Sequence, residues 1–315
     1  MVDLPRLGMG TAALGNLYRA IDDAQAEAAV AAALAGGIRW FDTAPHYGFG
    51  LAEERLGRAL GGRGDVIVST KVGRLLEPVA DPARERHGFV DARPFAPVFD
   101  YSADAIHRSL DESRARLRRD RIDILLAHDI GALTHGDRHE ERLREFLDDG
   151  WPAMRRLRDK GQVDAIGIGV NEVAICVDLL DRIDLDVILL AGRYTLLDRS
   201  AAERLLPACA ARGVKVMIGG PYNSGILAQS IADDAHFDYA PAPAAILARA
   251  RALQATCDHF GVPLPVAALQ FPLRHPAVAA VLPGMASAAE VADALARLAT
   301  PVDAALWRAL AEVPA

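Results

Sequence analysis

Eight short apolar runs, spread over the whole chain and separated by helix-forming segments, limit what this sequence can become more than any other feature. They are "RLGMGT" (6–11), "IRWFDTA" (38–44), "VIVSTKV" (66–72), "IDILLAH" (122–128), "AIGIGV" (165–170), "VILLAGRY" (187–194), "VKVMIGG" (214–220) and "VAAVLPG" (278–284). Most are rich in Val, Ile and Leu, as parallel strands covered by helices are. Helical patterns fall between them at 24–35, 53–60, 102–117, 151–160, 173–182, 201–212 and 290–299, with a longer helical stretch over 244–275. Gly36, Gly161 and Gly213 follow three of these, at the place where a left-handed C-terminal residue favours glycine. Strict alternation of eight strands with helices predicts a closed (β/α)8 barrel, and 315 residues suit one such domain over 1–315. An open doubly wound sheet is the other arrangement compatible with alternation. It would show G-x-G-x-x-G after its first strand, and "GMGTAALG" (8–15) has Ala13 at the third glycine position.

Three strand-to-helix connections are long: 73–101, 129–150 and 220–242. In a barrel all three lie on the face that carries the C-terminal strand ends, where active sites sit. Loops of that length there are expected to shape a pocket.

Charge and cysteine content exclude several classes of function. The net charge of −7 argues against nucleic acid, because phosphate binding needs a basic face. The densest arginine group, "RSLDESRARLRRDR" (108–121), alternates with acids and reads as a solvated helix face. Cys176, Cys209 and Cys257 are far apart and form no CxxC pair, so neither a disulfide framework nor a metal site is expected. The N-terminus lacks the basic and apolar regions of a signal peptide, and no apolar run is long enough to span a bilayer. The expectation is a cytoplasmic protein with no membrane or nucleic-acid partner.

Ionisable residues cluster at the predicted strand ends. Asp42 and Tyr47 follow the second strand in "FDTAPHYG" (41–48), Lys71 ends the third and His128 ends the fourth. Singly, each has a plain structural role: Asp42 caps a turn, Lys71 snorkels from a strand end and His128 is a satisfied core histidine. Jointly, adjacent barrel strands bring Asp42, Lys71 and His128 to one rim, and Tyr47 can fold back over them. A buried lysine requires a partner, which Asp42 supplies. A lysine ammonium beside a phenol favours phenolate and is expected to lower the phenol's pKa. Such a group is an acid or base tunable near neutral pH.

The same residues resemble those of the aldo-keto reductases. That family's Asp, Tyr, Lys and His tetrad matches Asp42 and Tyr47 in "DTAPHYG" (42–48), Lys71 in "STK" (69–71) and His128 in "ILLAHD" (124–129). The resemblance runs from "LGMGT" to "LPG". It implies a barrel that holds a nicotinamide nucleotide along its rim without a Rossmann domain. It assigns Gly10, Thr11, Asp42, Asn171, Pro221, Tyr222, Leu227, Gly284, Ser287 and Glu290 to nucleotide binding. Three positions depart from the family pattern. Val170 replaces the Ser before Asn171, Ala191 replaces a Gln after strand six, and Gly219 replaces an aromatic after strand seven, so Tyr222 is the candidate for stacking on the nicotinamide. In "VLPGMASAAEVADAL" (281–295), Gly284 and Glu290 stand where NADP-preferring members carry Lys and Arg. A carboxylate repels a 2′-phosphate, so NAD is expected over NADP. The competing role for Glu290 is to favour the first turn of its helix.

"ALGNLY" (13–18), "VSTKVGRLL" (68–76), "AGRYTLLDRS" (191–200) and "GGPYNSGIL" (219–227) narrow the resemblance to a branch that oxidises cyclic hemiacetals to lactones. That branch includes D-threo-aldose 1-dehydrogenases (L-fucose dehydrogenases), plant L-galactose dehydrogenase and pyridoxal 4-dehydrogenase. It implies oxidation of an aldose at its anomeric carbon, with a small-molecule sugar as partner and His46, Tyr47, His128 and Asp129 facing it. Pyridoxal oxidation, NADPH-dependent aldehyde or ketone reduction, and nucleotide sensing by a binding module are the other readings. No segment of the sequence is marked for docking to a partner.

Overall fold

Each of the eight apolar runs contains a strand. They are Met9–Gly10 (β1), Trp40–Asp42 (β2), Ile67–Val72 (β3), Ile124–His128 (β4), Ala165–Val170 (β5), Val187–Ala191 (β6), Lys215–Gly219 (β7) and Val278–Leu282 (β8). The structure is a computed structural model that describes residues 3–238 and 240–313. The strands are ordered sequentially and pair in parallel. β1 meets β8 through parallel bridges Leu7 to Val281 and Gly10 to Gly284, with Gly10 N–H donating to Pro283 O at 2.9 Å. The result is a (β/α)8 barrel, as the alternation predicts.

The two-residue period of a strand sorts the side chains. On β4, Ile124 and Leu126 face the barrel interior with Trp40, Leu189 and Met217, whereas Leu125 and Ala127 face the larger core beneath the helices. On β2, Trp40 faces inward and Phe41 outward; on β3, Val68 and Val72 face outward. Continuing the alternation to the strand ends turns Asp42, Lys71 and His128 inward, onto the floor of the C-terminal mouth. Two glycines of β5 allow close approach, Gly167 to the neighbouring strand and Gly169 to the inward lysine. A Cβ on Gly167 would lie 1.9 Å from Val187 O, and one on Gly169 would lie 3.2 Å from Lys71 Cε.

Helices occupy the expected intervals, including Asp23–Ala35, Leu51–Leu60, Ala103–Leu117, Val173–Arg182 and Ala288–Ala299. The 201–212 helix begins later, at Leu205. A further helix at Ala304–Glu312 was not anticipated. Gly161 and Gly213 have φ of 67° and 70°, but Gly36 does not adopt the left-handed conformation; Gly37 does, at 88°. A Cβ on Gly36 would lie 2.3 Å from Leu295 Cδ1, so that leucine would have to shift.

The long connections carry structure of their own. Within 73–101, Arg74–Pro78 pairs antiparallel with Phe95–Phe99, and Glu85–Arg86 pairs with Phe89–Val90. The 129–150 connection is mostly helical, including His139–Glu145. Within 220–242, His236–Phe237 pairs with Ala240–Pro241. No helix among the described residues is long and apolar enough to cross a membrane.

Candidate active site

The centre of the site is a buried ion pair. Lys71 is 1% exposed and Asp42 is 3% exposed, so neither charge is solvated and each must be satisfied by protein. The lysine Nζ donates to Asp42 Oδ2 at 2.7 Å, Thr43 O at 2.8 Å and Tyr47 OH at 3.1 Å. These use all three ammonium protons. Asp42 is oriented from its other oxygen: Ser69 Oγ donates to Oδ1 at 2.7 Å, and Trp40 Nε1 donates to Ser69 Oγ at 3.1 Å. Burial works against the charge on Lys71, but Asp42 and Tyr47 outweigh it and hold its pKa above the ordinary lysine range. The lysine is therefore a fixed cation, not a base.

Tyr47 is placed by the turn after β2. Its N–H donates to Ala44 O at 3.1 Å and its carbonyl accepts from Ala52 N–H. Gly48, at φ 62°, presses on the Ala12–Gly15 turn, where a Cβ would lie 2.4 Å from Gly15 O. The phenol oxygen accepts from Lys71, so its own proton is directed elsewhere. Burial raises the Tyr47 pKa; Lys71 pulls it down and Asp42 pushes it up. The net direction is upward. The lysine's downward pull expected from the sequence is present, but desolvation exceeds it.

His128 completes the group at a ring-centroid distance of 6.1 Å from Tyr47. Burial, then Arg74, Lys71 and His46, hold its pKa well below the ordinary value, so it is neutral. Tyr101 OH donates to its carbonyl at 2.6 Å. His46 lies 5.9 Å from it, ring to ring, and is also kept neutral by burial together with Arg74, His87 and Lys71. His46 is ringed edge-on by Phe49, His87 and Phe89. Asp129 follows His128, and its Oδ2 is 3.7 Å from His128 Nε2. Burial raises the Asp129 pKa against the pull of Arg74 and Lys71.

Arg74 was not singled out from the sequence, although it follows the lysine strand in "STKVGR". It is the first residue of the hairpin, it is 9% exposed, and it pairs with Asp129. His87 and Tyr101 also enter the site unannounced. The only sequence signal was their presence in the long 73–101 connection.

The residues assigned to the nucleotide divide into two sets. Asn171, just beyond β5, is partly exposed, and its side-chain amide has no hydrogen-bond partner among the described residues. Ala191, Gly192, Gly219 and Gly220 give a floor of small residues at the ends of β6 and β7. Gly284 is exposed, with nothing within 4 Å of a built Cβ. A free amide beyond β5, next to small residues at the ends of the adjoining strands, suits a planar carboxamide-bearing ring. Gly10 and Pro221 lie at the ends of β1 and β7, and Thr11 Oγ1 donates to Asp42 O at 2.9 Å. The other set is occupied by packing. Leu227 is fully buried in a second apolar cluster and its N–H donates to Tyr222 O. Tyr222 OH accepts from Arg297 at 3.2 Å. Ser287 caps the last barrel helix by accepting from Glu290 N–H, and Glu290 Oε2 accepts from Ala286 N–H. Glu290 Oε1 pairs with Arg19 at 3.2 Å, a cation that sequence position had not connected with this turn.

An inward lysine bonded at once to a buried carboxylate and a phenol, beside a neutral histidine, is the arrangement expected of an aldo-keto reductase. Residues 6–314 match the Aldo/keto reductase family profile. The chain belongs to this family. It is 44% identical to pyridoxal 4-dehydrogenase of Microbacterium luteolum over 296 residues, 90% of this chain and 86% of that protein. It is 40% identical to D-threo-aldose 1-dehydrogenase of a Pseudomonas species, over 98% of this chain and 94% of that one. Among solved structures, the holo form of an aldo-keto reductase from Bacillus halodurans superposes with a TM-score of 0.76 at 26% identity, covering 98% and 91% of the two chains. Membership of this oxidoreductase family makes the protein a nicotinamide-dependent enzyme, close to the branch that the sequence resembles.

Proposed function

We propose that this aldo-keto reductase oxidises the anomeric carbon of an aldose, of the L-fucose, D-arabinose or L-galactose type, to the aldonolactone. The observation that carries this reading is Lys71, whose three protons are committed to Asp42, Thr43 and Tyr47. This makes Tyr47 the one group of the trio able to exchange a proton with substrate. A bound nicotinamide supplies the hydride acceptor, and Asn171 with the small residues at the ends of β6 and β7 would hold it. Tyr47 takes the proton of the anomeric hydroxyl, and Lys71 stabilises the phenolate that does so. His128, neutral, hydrogen-bonds the same oxygen and fixes its direction. The C–H electron pair leaves as hydride while the C–O bond becomes the lactone carbonyl. Positioning of donor and acceptor in contact supplies much of the rate.

A second reading, pyridoxal oxidation to its lactone, is favoured by the aromatic wall of Phe49, Phe89 and His87 around His46, together with the 44% identity to a pyridoxal 4-dehydrogenase. The test is NAD⁺ reduction by L-fucose, D-arabinose, L-galactose, L-xylose and pyridoxal. Turnover of the sugars is expected. Turnover of pyridoxal alone selects the second reading, and NADPH-dependent reduction of simple aldehydes with silence across the panel contradicts both.

NAD is the proposed nucleotide, with NADP as the lesser one. Glu290 neutralises Arg19 at the last turn, so that cation is not offered to a 2′-phosphate. Glu290→Arg releases Arg19 and adds a positive charge. It is expected to raise use of NADP⁺ relative to NAD⁺ by about tenfold or more, at a stability cost of about 1 kcal/mol for the lost capping interaction. An unchanged ratio of the two kcat/KM values contradicts this assignment.

A further inference from the structure

We infer that Arg74 and Asp129 form a specificity-determining clamp for the hydroxyl on the carbon next to the reacting one, so that the site selects vicinal diols over deoxy analogues. This rests on the proposed oxidation of an aldose. The clamp is built from two elements. Asp129 follows His128 at the end of β4, and its N–H donates to Gly169 O at 2.9 Å while its backbone is held at φ 50°. Arg74 comes from the hairpin after β3, behind Gly73, where a Cβ would strike the Tyr101 ring at 2.3 Å. Its guanidinium carbon lies over the Phe99 ring, 4.7 Å from the ring centre. Both side chains are therefore fixed before any ligand arrives.

The hydrogen-bonding capacity of the pair is not exhausted. Arg74 gives Nη2 to Asp129, but its Nε is buried with no partner among the described residues. His128 Nδ1 and His46 Nδ1 are likewise buried without partners. A guanidinium N–H and a carboxylate side by side present one donor and one acceptor. A hydroxyl is at once an acceptor and a donor, so a single hydroxyl can answer both members of such a pair. Because Asp129 Oδ2 lies 3.7 Å from His128 Nε2, an oxygen held by the clamp neighbours the oxygen held by the histidine. A hydroxyl on the adjacent carbon has the reach to fill that position.

The experiment compares D-arabinose with 2-deoxy-D-ribose, its counterpart lacking that hydroxyl, in wild type, Arg74→Met and Arg74→Lys. The wild type is expected to favour D-arabinose in kcat/KM by about 10- to 100-fold, the range of a hydrogen bond to a charged group. Arg74→Met also strands the Asp129 carboxylate, so both sugars lose turnover; D-arabinose is expected to lose more, chiefly through KM, which brings the ratio toward one. Arg74→Lys keeps the charge beside Asp129 but not the planar fork, so it is expected to restore stability and only part of the discrimination. A wild-type ratio near one overturns the clamp without any variant. So does an Arg74→Met or Arg74→Lys protein that loses both sugars in equal proportion, which is the behaviour of a purely structural ion pair. Absence of turnover with every aldose in wild type overturns the sugar reading, and the clamp with it.

Discussion

Tyr47→Phe is expected to lower kcat by about 10²- to 10⁴-fold, the usual contribution of a positioned acid or base, while leaving nucleotide affinity within about twofold. The ring still fills the same space beside Phe89 and His128, so only the proton-transfer atom is lost. The pH dependence in wild type identifies the same atom. Because burial raises the Tyr47 pKa, the phenol is protonated at neutral pH and its conjugate base grows tenfold per pH unit below that pKa. Oxidation should therefore climb with unit slope into the alkaline range. Reduction, which uses the protonated form, should be flat through neutrality and fall only in alkali. Lys71, held above its ordinary range, and His128, held well below its own, keep their charge states through that window and add no limb to the profile. Steady-state kinetics in both directions, with nucleotide titration of the variant, checks this. Retained turnover in Tyr47→Phe, or an oxidation rate that falls as pH rises from 7 to 9, contradicts the role assigned to Tyr47.

Lys71→Met is expected to damage activity and stability together. It leaves the Asp42 carboxylate buried at 3% exposure with Ser69 Oγ as its remaining side-chain donor. Breaking a buried pair from one side costs about 3–5 kcal/mol, which denaturant unfolding measures directly. Turnover should fall at least as far as in Tyr47→Phe, because the phenolate loses its neighbouring cation. Asp42→Asn/Lys71→Met removes the stranded charge and should recover part of the stability but none of the activity. Equal stability of the two variants would show that the pair is not held together as described.

Much of this site was legible because it depends on local chemistry repeated at strand ends. "WFD" and "LAH" end their strands on a polar residue and "STK" stands one residue before the end of its own, and the two-residue period of a strand forces Asp42, Lys71 and His128 to the same side. What was not legible depends on long-range pairing. Arg19 and Glu290 are 271 positions apart, so the cation beside the last turn could not be read from the turn itself. The 74–78 and 95–99 strands pair across a segment holding Arg84, Arg86 and Arg93. Nothing in that composition says that Arg74, rather than one of those, enters the site. The Tyr47 pKa moves opposite to the sequence expectation for a related reason: the lysine's presence is visible in sequence, whereas the desolvation that outweighs it depends on the packed barrel mouth.

The central claim is that a cyclic hemiacetal gives up its anomeric hydrogen as hydride and leaves as a lactone. Its most direct test is turnover of D-arabinose carrying deuterium at C1, with NAD⁺, followed by NMR of both products during the first minutes. The account predicts deuterium on the reduced nicotinamide and the lactone as the first sugar product, before any open-chain acid. Deuterium lost to solvent, or the acid appearing with no preceding lactone, would contradict it.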